Sequence, residues 1–260
     1  MDLLASEPLV TDPVAMAYDE NGLAYVVEMN DYPFTDKAMH EAWKDNKTDK
    51  AIGRIRLLED TDGDGKFDKS TIFATDLSWA SGIVCWKGGV FVTATPDIWY
   101  LKDTNGDHKA DIRKKVFTGF RKYNVQAVMN NLVWGLDNKI YAAGSGNGGS
   151  IVPGGKSDSK PIALSHNDFR FDPETEKFEV LSGGARFGNT FDDWGNRFLC
   201  NIRNPAQQVV LENRYLARNP FSPVQSAIHD SALAGDTLPS SRVPLKFSSM
   251  VEPMSAWGQV

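Results

Sequence analysis

Asp60-Thr61-Asp62-Gly63-Asp64-Gly65-Lys66-Phe67-Asp68 sets side-chain oxygens at alternate positions, with glycines at the bends and a further carboxylate at the end. Four carboxylates within nine residues repel one another unless a cation lies between them. A hard cation such as Ca²⁺ takes six to eight oxygen ligands, and a tight acidic turn supplies most of them. The stretch fits a β-hairpin calcium loop, with oxygens from Asp60, Asp62, Asp64, the Lys66 carbonyl and Asp68. An EF-hand fits worse: its twelfth position falls on Thr71 rather than a glutamate, and the flanks read as strands. The other reading is a solvated acidic turn. A weaker copy follows at Asp103, Asn105, Asp107, the Lys109 carbonyl and Asp111, with His108 where the first loop has Gly65. Histidine enters the left-handed region at some cost. Two copies of one loop at hairpin tips imply a repeated architecture and a structural role for the metal.

The repeat extends along the chain. Four segments share the form apolar strand, polar turn, apolar strand: 13–27 (PVAMAYDENGLAYVV), 82–92 (GIVCWKGGVFV), 131–141 (NLVWGLDNKIY) and 189–200 (NTFDDWGNRFLC). Their turns, Asn-Gly, Gly-Gly, Asp-Asn and Gly-Asn, accept the positive φ of tight hairpins. A second hairpin follows each. Arg54–Leu58 leads into the first acidic loop, Ile98–Leu101 into the second, and Phe169–Val180 turns at Asp172-Pro-Glu-Thr; Gln207–Leu211 marks the fourth less clearly. Two hairpins per unit, recurring at roughly 50 to 70 residues, predict an all-β fold: a β-propeller with about four four-stranded blades visible. A sandwich would also give many short strands, but it would not repeat loop chemistry in register.

The expectation is a single domain over residues 1–260, part of a larger ring, with 248–258 as the lead-in to a fifth unit. A short helix is expected over 35–44, a long flexible Gly/Ser loop over 144–160, and irregular chain over about 219–243. Charged residues make up 24% and hydrophobic residues 41%, the balance of a globular protein. A net charge of −6 without a basic stripe argues against nucleic acid as a partner. Apolar runs are strand-sized, so none reads as a membrane span. Residues 1–8 lack the basic and apolar regions of a signal peptide, which leaves a cytoplasmic protein or a mature or shortened one. Cys85 and Cys200 lack zinc or haem spacing; they read as free thiols buried in strands, with a disulfide as the alternative.

The stretches 13–28, 53–68 (GRIRLLEDTDGDGKFD), 134–141, 191–198 (FDDWGNRF) and 214–220 (RYLARNP) resemble the N-terminal propeller of the membrane-bound dehydrogenases of planctomycetes and verrucomicrobia, often fused to cytochrome c. That propeller is similar to those of the soluble quinoprotein sugar dehydrogenases, which bind PQQ and calcium. The resemblance implies a six- or seven-bladed ring, an exported, periplasmic setting with a signal peptide upstream, a carbohydrate or other small-molecule ligand, and haem in a domain downstream of these residues. In the sugar dehydrogenases a histidine base precedes the Trp-Gly-x-Asp turn; aligned through Trp134–Tyr141, it falls at Ala127, beside Gln126. Neither side chain is a base. The arginine-asparagine-proline motif that helps hold PQQ appears as Arg186-Phe-Gly-Asn189, with Arg203-Asn204-Pro205 one strand later. His166 is the remaining candidate for a base, against its reading as a polar surface residue. Arg186, Asn189, Arg203 and Asn204 flank the fourth inner hairpin, as a site for an anionic or polyhydroxylated ligand or as links between blades. No nucleophile elbow or phosphate loop is present. The tryptophans read as packing between blades.

Overall fold

The computed structural model describes residues 2–32, 50–154, 159–218, 221 and 226–231. Alternating apolar positions and the predicted turns build four antiparallel sheets in chain order. The first contains β1 (Pro13–Tyr18), β2 (Ala24–Glu28), β3 (Gly53–Glu59) and β4 (Lys69–Leu77). The second begins with β5 (Ala80–Trp86), β6 (Gly89–Ala94), β7 (Asp97–Lys102) and β8 (Ile112–Phe120). Trp86 pairs with Gly89 across Lys87-Gly88, whose φ of 46° and 71° are those of a two-residue primed turn. The third sheet takes β9 (Asn130–Trp134), β10 (Ile140–Ala143), β13 (Asp168–Phe171) and β14 (Phe178–Leu181). The fourth takes β15 (Asn189–Phe191), β16 (Arg197–Leu199), β17 (Gln207–Val209) and β18 (Ile228–Asp230).

The first strands lie side by side, β1 on β5, β5 on β9 and β9 on β15, so the sheets radiate from a shared hub like propeller blades. Polar links join neighbours there. Asp31 Oδ2 accepts from the Trp79 N–H at 2.8 Å, Ser81 Oγ donates to the Met129 carbonyl at 2.6 Å, and Asn131 Oδ1 accepts from the Asn189 N–H at 2.8 Å.

Two expectations are corrected. Residues 144–160 are not one flexible loop: β11 (Gly149–Pro153) pairs with β12 (Ile162–Leu164), and this inserted hairpin adds to the outer strand β8, giving the second sheet six strands. Within 219–243, the described residues Ile228–Asp230 form β18 and complete the fourth sheet. The helix expected over 35–44 and the lead-in at 248–258 lie outside the described residues.

The core sits between blades. Tyr25, Val27, Ile55, Leu57 and Phe73 pack with Ile83, Val90, Val92 and Leu101 between the first two. Phe91, Phe117 and Phe120 interlock with Phe169, Phe171 and Phe178 between the second and third. Cys85, in β5, and Cys200, one residue past β16, are free and half-buried rather than fully buried, and burial pushes the Cys85 thiol up to about 12. Among the described residues no helix is long and apolar enough to cross a membrane.

Candidate functional site

Strand polarity sorts the candidate residues to two ends of the blades. The acidic loops join β3 to β4 and β7 to β8, on the outer half of the first and second blades. The loops after β10, β14 and β16 open at the opposite end, around the hub.

In the first acidic loop the carboxylate oxygens of Asp60, Asp62 and Asp64 lie within 4.8 Å of one another, exposed to solvent. Backbone N–H groups fix them: Gly63 and Gly65 donate to Asp60, Asp64 to Asp62, and Lys66 to Asp64, at 2.8–3.2 Å. Asp68 is drawn back instead to Thr61, accepting from its hydroxyl and its N–H, and these bonds hold its carboxyl below the usual range. The second loop repeats the wiring. Gly106 and His108 donate to Asp103, Asp107 to Asn105, Lys109 to Asp107, and Thr104 to Asp111. Partial burial raises the Asp103 carboxyl, but the backbone donors together outweigh this and hold it below its ordinary value. Asn105 replaces a carboxylate with an amide oxygen, so this loop offers less charge to a cation. His108 takes φ 62° where Gly65 has 86°, and its Nδ1 reaches Glu59 Oε1 at 3.1 Å, tying the second loop to the first blade.

At the hub end, His166, Arg186, Arg203 and Asn204 line one open cleft of about 560 Å³, together with Ser145, Gly146, Asn201 and Gln207. The chain supplies them from four separate connections. Gly144–Gly148 follows β10, and Ser165–Asn167 precedes β13. Gly184–Arg186 follows β14, and Asn201–Asn204 follows β16. Arg186 also borders a larger cavity of about 900 Å³ running along the hub strands, with Gln126 and Tyr32 on its wall. The Gln126 amide donates to the Tyr32 hydroxyl at 2.9 Å. Ala127 ends a short 3₁₀ turn (Val125–Ala127) before β9 and is 3% exposed. It stands where the resemblance puts a base, against the cleft wall: a Cβ on Gly146 would be 3.7 Å from the Ala127 Cβ and 3.5 Å from Arg186 Nη1.

Asn189 does not join this group. It is buried, and its amide donates to the Asn131 carbonyl at 3.2 Å, the blade-linking role that was its alternative reading. Gln207 and then Asn204, both lining the cleft, hold the Asp230 carboxyl below its ordinary value. Asp230 accepts from Gln207, whose Oε1 accepts from Asn201; Asn201 Oδ1 in turn accepts from the Arg186 N–H. This relay ties the backbone under Arg186 to β17 and β18.

Sequence reasoning passed over two contributors. Ser145 is 2% exposed, at φ 54°, with its hydroxyl buried and without a hydrogen-bond partner. The one signal was a polar residue between two glycines. Asp168, fully buried in β13, accepts from the Gly144 and Ala185 N–H groups at 3.0 Å and pairs with Arg197 Nη1 at 2.8 Å. It pins two of the connections that form the cleft.

Among solved structures, the chain is similar to the PQQ domain of pyranose dehydrogenase from Coprinopsis cinerea in its holo form, at 16% identity and TM-score 0.49, over 78% of this chain and 45% of that one. It is similar to a Trichoderma reesei carbohydrate-active enzyme of family AA12, at 14% identity and TM-score 0.49, over 80% and 47%. The Dos1 propeller matches at 10% identity and TM-score 0.31, over 71% and 63%. The chain thus spans under half the length of the first two. No curated protein matches it. The family model described as Domain of unknown function (DUF7133) matches residues 1–258, and the chain belongs to that family.

Proposed function

We propose that this domain is an exported, calcium-stapled propeller that binds a small polyhydroxylated ligand in the hub-end cleft. The observation that carries the reading is the convergence of Arg186, His166 and the adjacent Arg203 and Asn204 from three connections onto one cleft, with neither Arg186 nor Arg203 in an ion pair among the described residues. Pockets of several hundred cubic ångströms with a few convergent polar groups are the usual places for small-molecule binding. Asp60, Asp62 and Asp64, with the Lys66 carbonyl and Asp68, supply oxygen donors suited to Ca²⁺; Asp103, Asn105, Asp107, Lys109 and Asp111 form a weaker second set. Both sets lie at the opposite end of the blades from the cleft, so a cation there fixes turns rather than taking part in chemistry.

Titration calorimetry of the intact protein against a panel of monosaccharides tests the binding reading. Saturable heats that vanish in Arg203→Ala support it, and the absence of heat with every sugar sinks it. Arg203 is exposed, so its removal leaves the fold intact.

A second reading, a sugar or alcohol dehydrogenase, is favoured by the place of His166 in the same cleft. The two arginines fit the carboxylates of PQQ, which when bound would supply a hydride acceptor. In this reading the His166 imidazole takes the hydroxyl proton that Ala127 cannot, and Arg186 and Arg203 orient the bound groups. Cytochrome c is then the electron partner that the family resemblance implies. Dye reduction in the presence of PQQ, calcium and sugar, lost in His166→Ala, would select this reading; no reduction above background removes it.

A further inference from the structure

We propose that the hub-end cleft recognises the carboxylate of a sugar acid, with Arg186 and Ser145 as the anion-binding pair; this rests on reading the cleft as a ligand site. Both side chains carry a buried polar atom with no partner, Ser145 Oγ and Arg186 Nε. Buried polar groups in folded proteins are satisfied with few exceptions, and an orphan beside a cavity is met by an ordered water or by a group that the cavity receives. The amides around them do not fill that role. The Asn201 oxygen accepts from the Arg186 N–H at 2.9 Å and its NH₂ donates to Gln207 at 2.6 Å, while the Gln207 NH₂ donates to Asp230. What the cleft has left to offer is rich in donors: two guanidinium groups, which only donate, and a hydroxyl and an imidazole, which can donate or accept. Among the described residues no carboxylate lines it, although the chain as a whole carries a net charge of −6.

A donor-rich, locally cationic cleft is matched by an acceptor-rich, anionic ligand. The planar guanidinium fork suits a carboxylate held through two parallel hydrogen bonds. Ser145 sharpens the argument. Its φ of 54° lies in the left-handed region that glycine adopts without strain, and Gly144 and Gly146 stand on either side of it. The backbone there would accept glycine, yet it carries a hydroxyl aimed at no protein group. Gly146 and Ala127 keep the wall beside the Arg186 guanidinium small.

The test compares D-glucuronate, D-glucose and D-glucose 6-phosphate by calorimetry on the intact protein, alongside thermal melts of the variants. Glucuronate is expected to bind at least about tenfold more tightly than glucose, the scale of one hydrogen bond to a charged group. Ser145→Gly relieves the backbone strain while removing the hydroxyl. It is expected to melt no lower than the parent and to bind glucuronate about tenfold more weakly. Arg203→Ala, at an exposed position, provides a second variant free of folding effects and is expected to weaken glucuronate more than glucose. Equal affinity for glucose and glucuronate overturns the carboxylate assignment while leaving the ligand site standing. Tighter binding of glucose 6-phosphate overturns it in favour of a phosphate. PQQ binding without any sugar gives the same donors to a quinone, and no binding of any probe removes both this inference and the reading beneath it.

Discussion

The seams on either side of the third blade are made of different materials. On one side Phe91, Phe117 and Phe120 meet Phe169, Phe171 and Phe178, with ring centroids 5.0–5.3 Å apart along a chain of edge-on, tilted and stacked pairs. On the other, among the described residues, a small cluster of Ala143, Ala185 and Leu199 is flanked by Val209 and Ile228, a single aromatic pair, Tyr141 edge-on to Phe191 at 4.9 Å, spans the blades, and a fully enclosed pair, Asp168 with Arg197, crosses the seam beside them. Aromatic contacts add about 0.5–1.5 kcal/mol each to the burial itself and tolerate small displacements. A buried ion pair is directional, and stabilises only while every donor and acceptor stays in place. The hub-end cleft lies on the directional seam. Its walls are set by hydrogen bonds to Asp168 rather than by packing, which positions Gly144–Gly146 and Ala185–Arg186 against each other.

Breaking each seam sharpens the contrast. Phe171→Ala and Arg197→Ala are both expected to destabilise by about 3–5 kcal/mol in denaturant melts, the first through a cavity and the second by stranding the Asp168 charge. They differ in rescue. Asp168→Asn in the Arg197→Ala background should recover part of the loss, because the amide still accepts from Gly144 and Ala185 without a buried charge. No polar second change should rescue Phe171→Ala. A double-mutant cycle that shows no coupling between Asp168 and Arg197 would refute the directional account.

Calcium removal comes next in size. A ligand at a hundredfold excess over its Kd adds about 2.7 kcal/mol. Chelation should therefore lower the melting temperature and reduce amide protection in β3 and β4, while β15–β17 keep theirs. An unchanged melt would count against the metal loops.

Acid resolves a smaller contribution inside the third blade. Burial pushes Glu179 up, but Arg170, bonding it through Nε and Nη2 at 2.8 and 2.6 Å, wins and holds it at about 2 against an ordinary 4.5. The folded value is depressed, so this stabilisation is fully present above pH 4.5 and is lost as pH falls through about 2. Its size, after solvent screening of a partly exposed pair, is about 1–2 kcal/mol. Glu179→Gln should flatten the stability profile across that window. Smallest of all are the ion pairs Lys87–Glu174 and Lys114–Glu176, which span the rim of the aromatic seam with both lysines more than half exposed. Lys87→Ala should change stability by under about 0.5 kcal/mol.

The inner hairpins were legible because their turns carry residues that tolerate positive φ between apolar runs long enough to count. The acidic loops were legible because ligand spacing is local. The inserted β11–β12 hairpin was not: Gly149 and Pro153 bound one strand, the other has three residues, and the partner that orders them, β8, lies about thirty residues earlier. Likewise β18 is three residues long in a Pro- and Ser-rich stretch, and it exists because β17 presents an open edge. In the cleft, the arginines were visible as chemistry out of place. Asn189 had the same appearance and proved to be a hub link, because its neighbour Asn131 turns its carbonyl and amide oxygen toward it. Ser145 left almost no trace, since what marks it is burial without a partner.

The inserted hairpin also changes which part of the molecule owns the cleft. Its two stems are the segments that carry Ser145 on the way in and His166 on the way out, yet the hairpin itself is hydrogen-bonded to the outer edge of the preceding blade through Gly149–Phe120 and Val152–Thr118. Two walls of the cleft are therefore guy-wired to a neighbour: encoded within the third blade, anchored on the second. A strain applied to that distant rim would reach Ser145 and His166 together, before it reached either arginine.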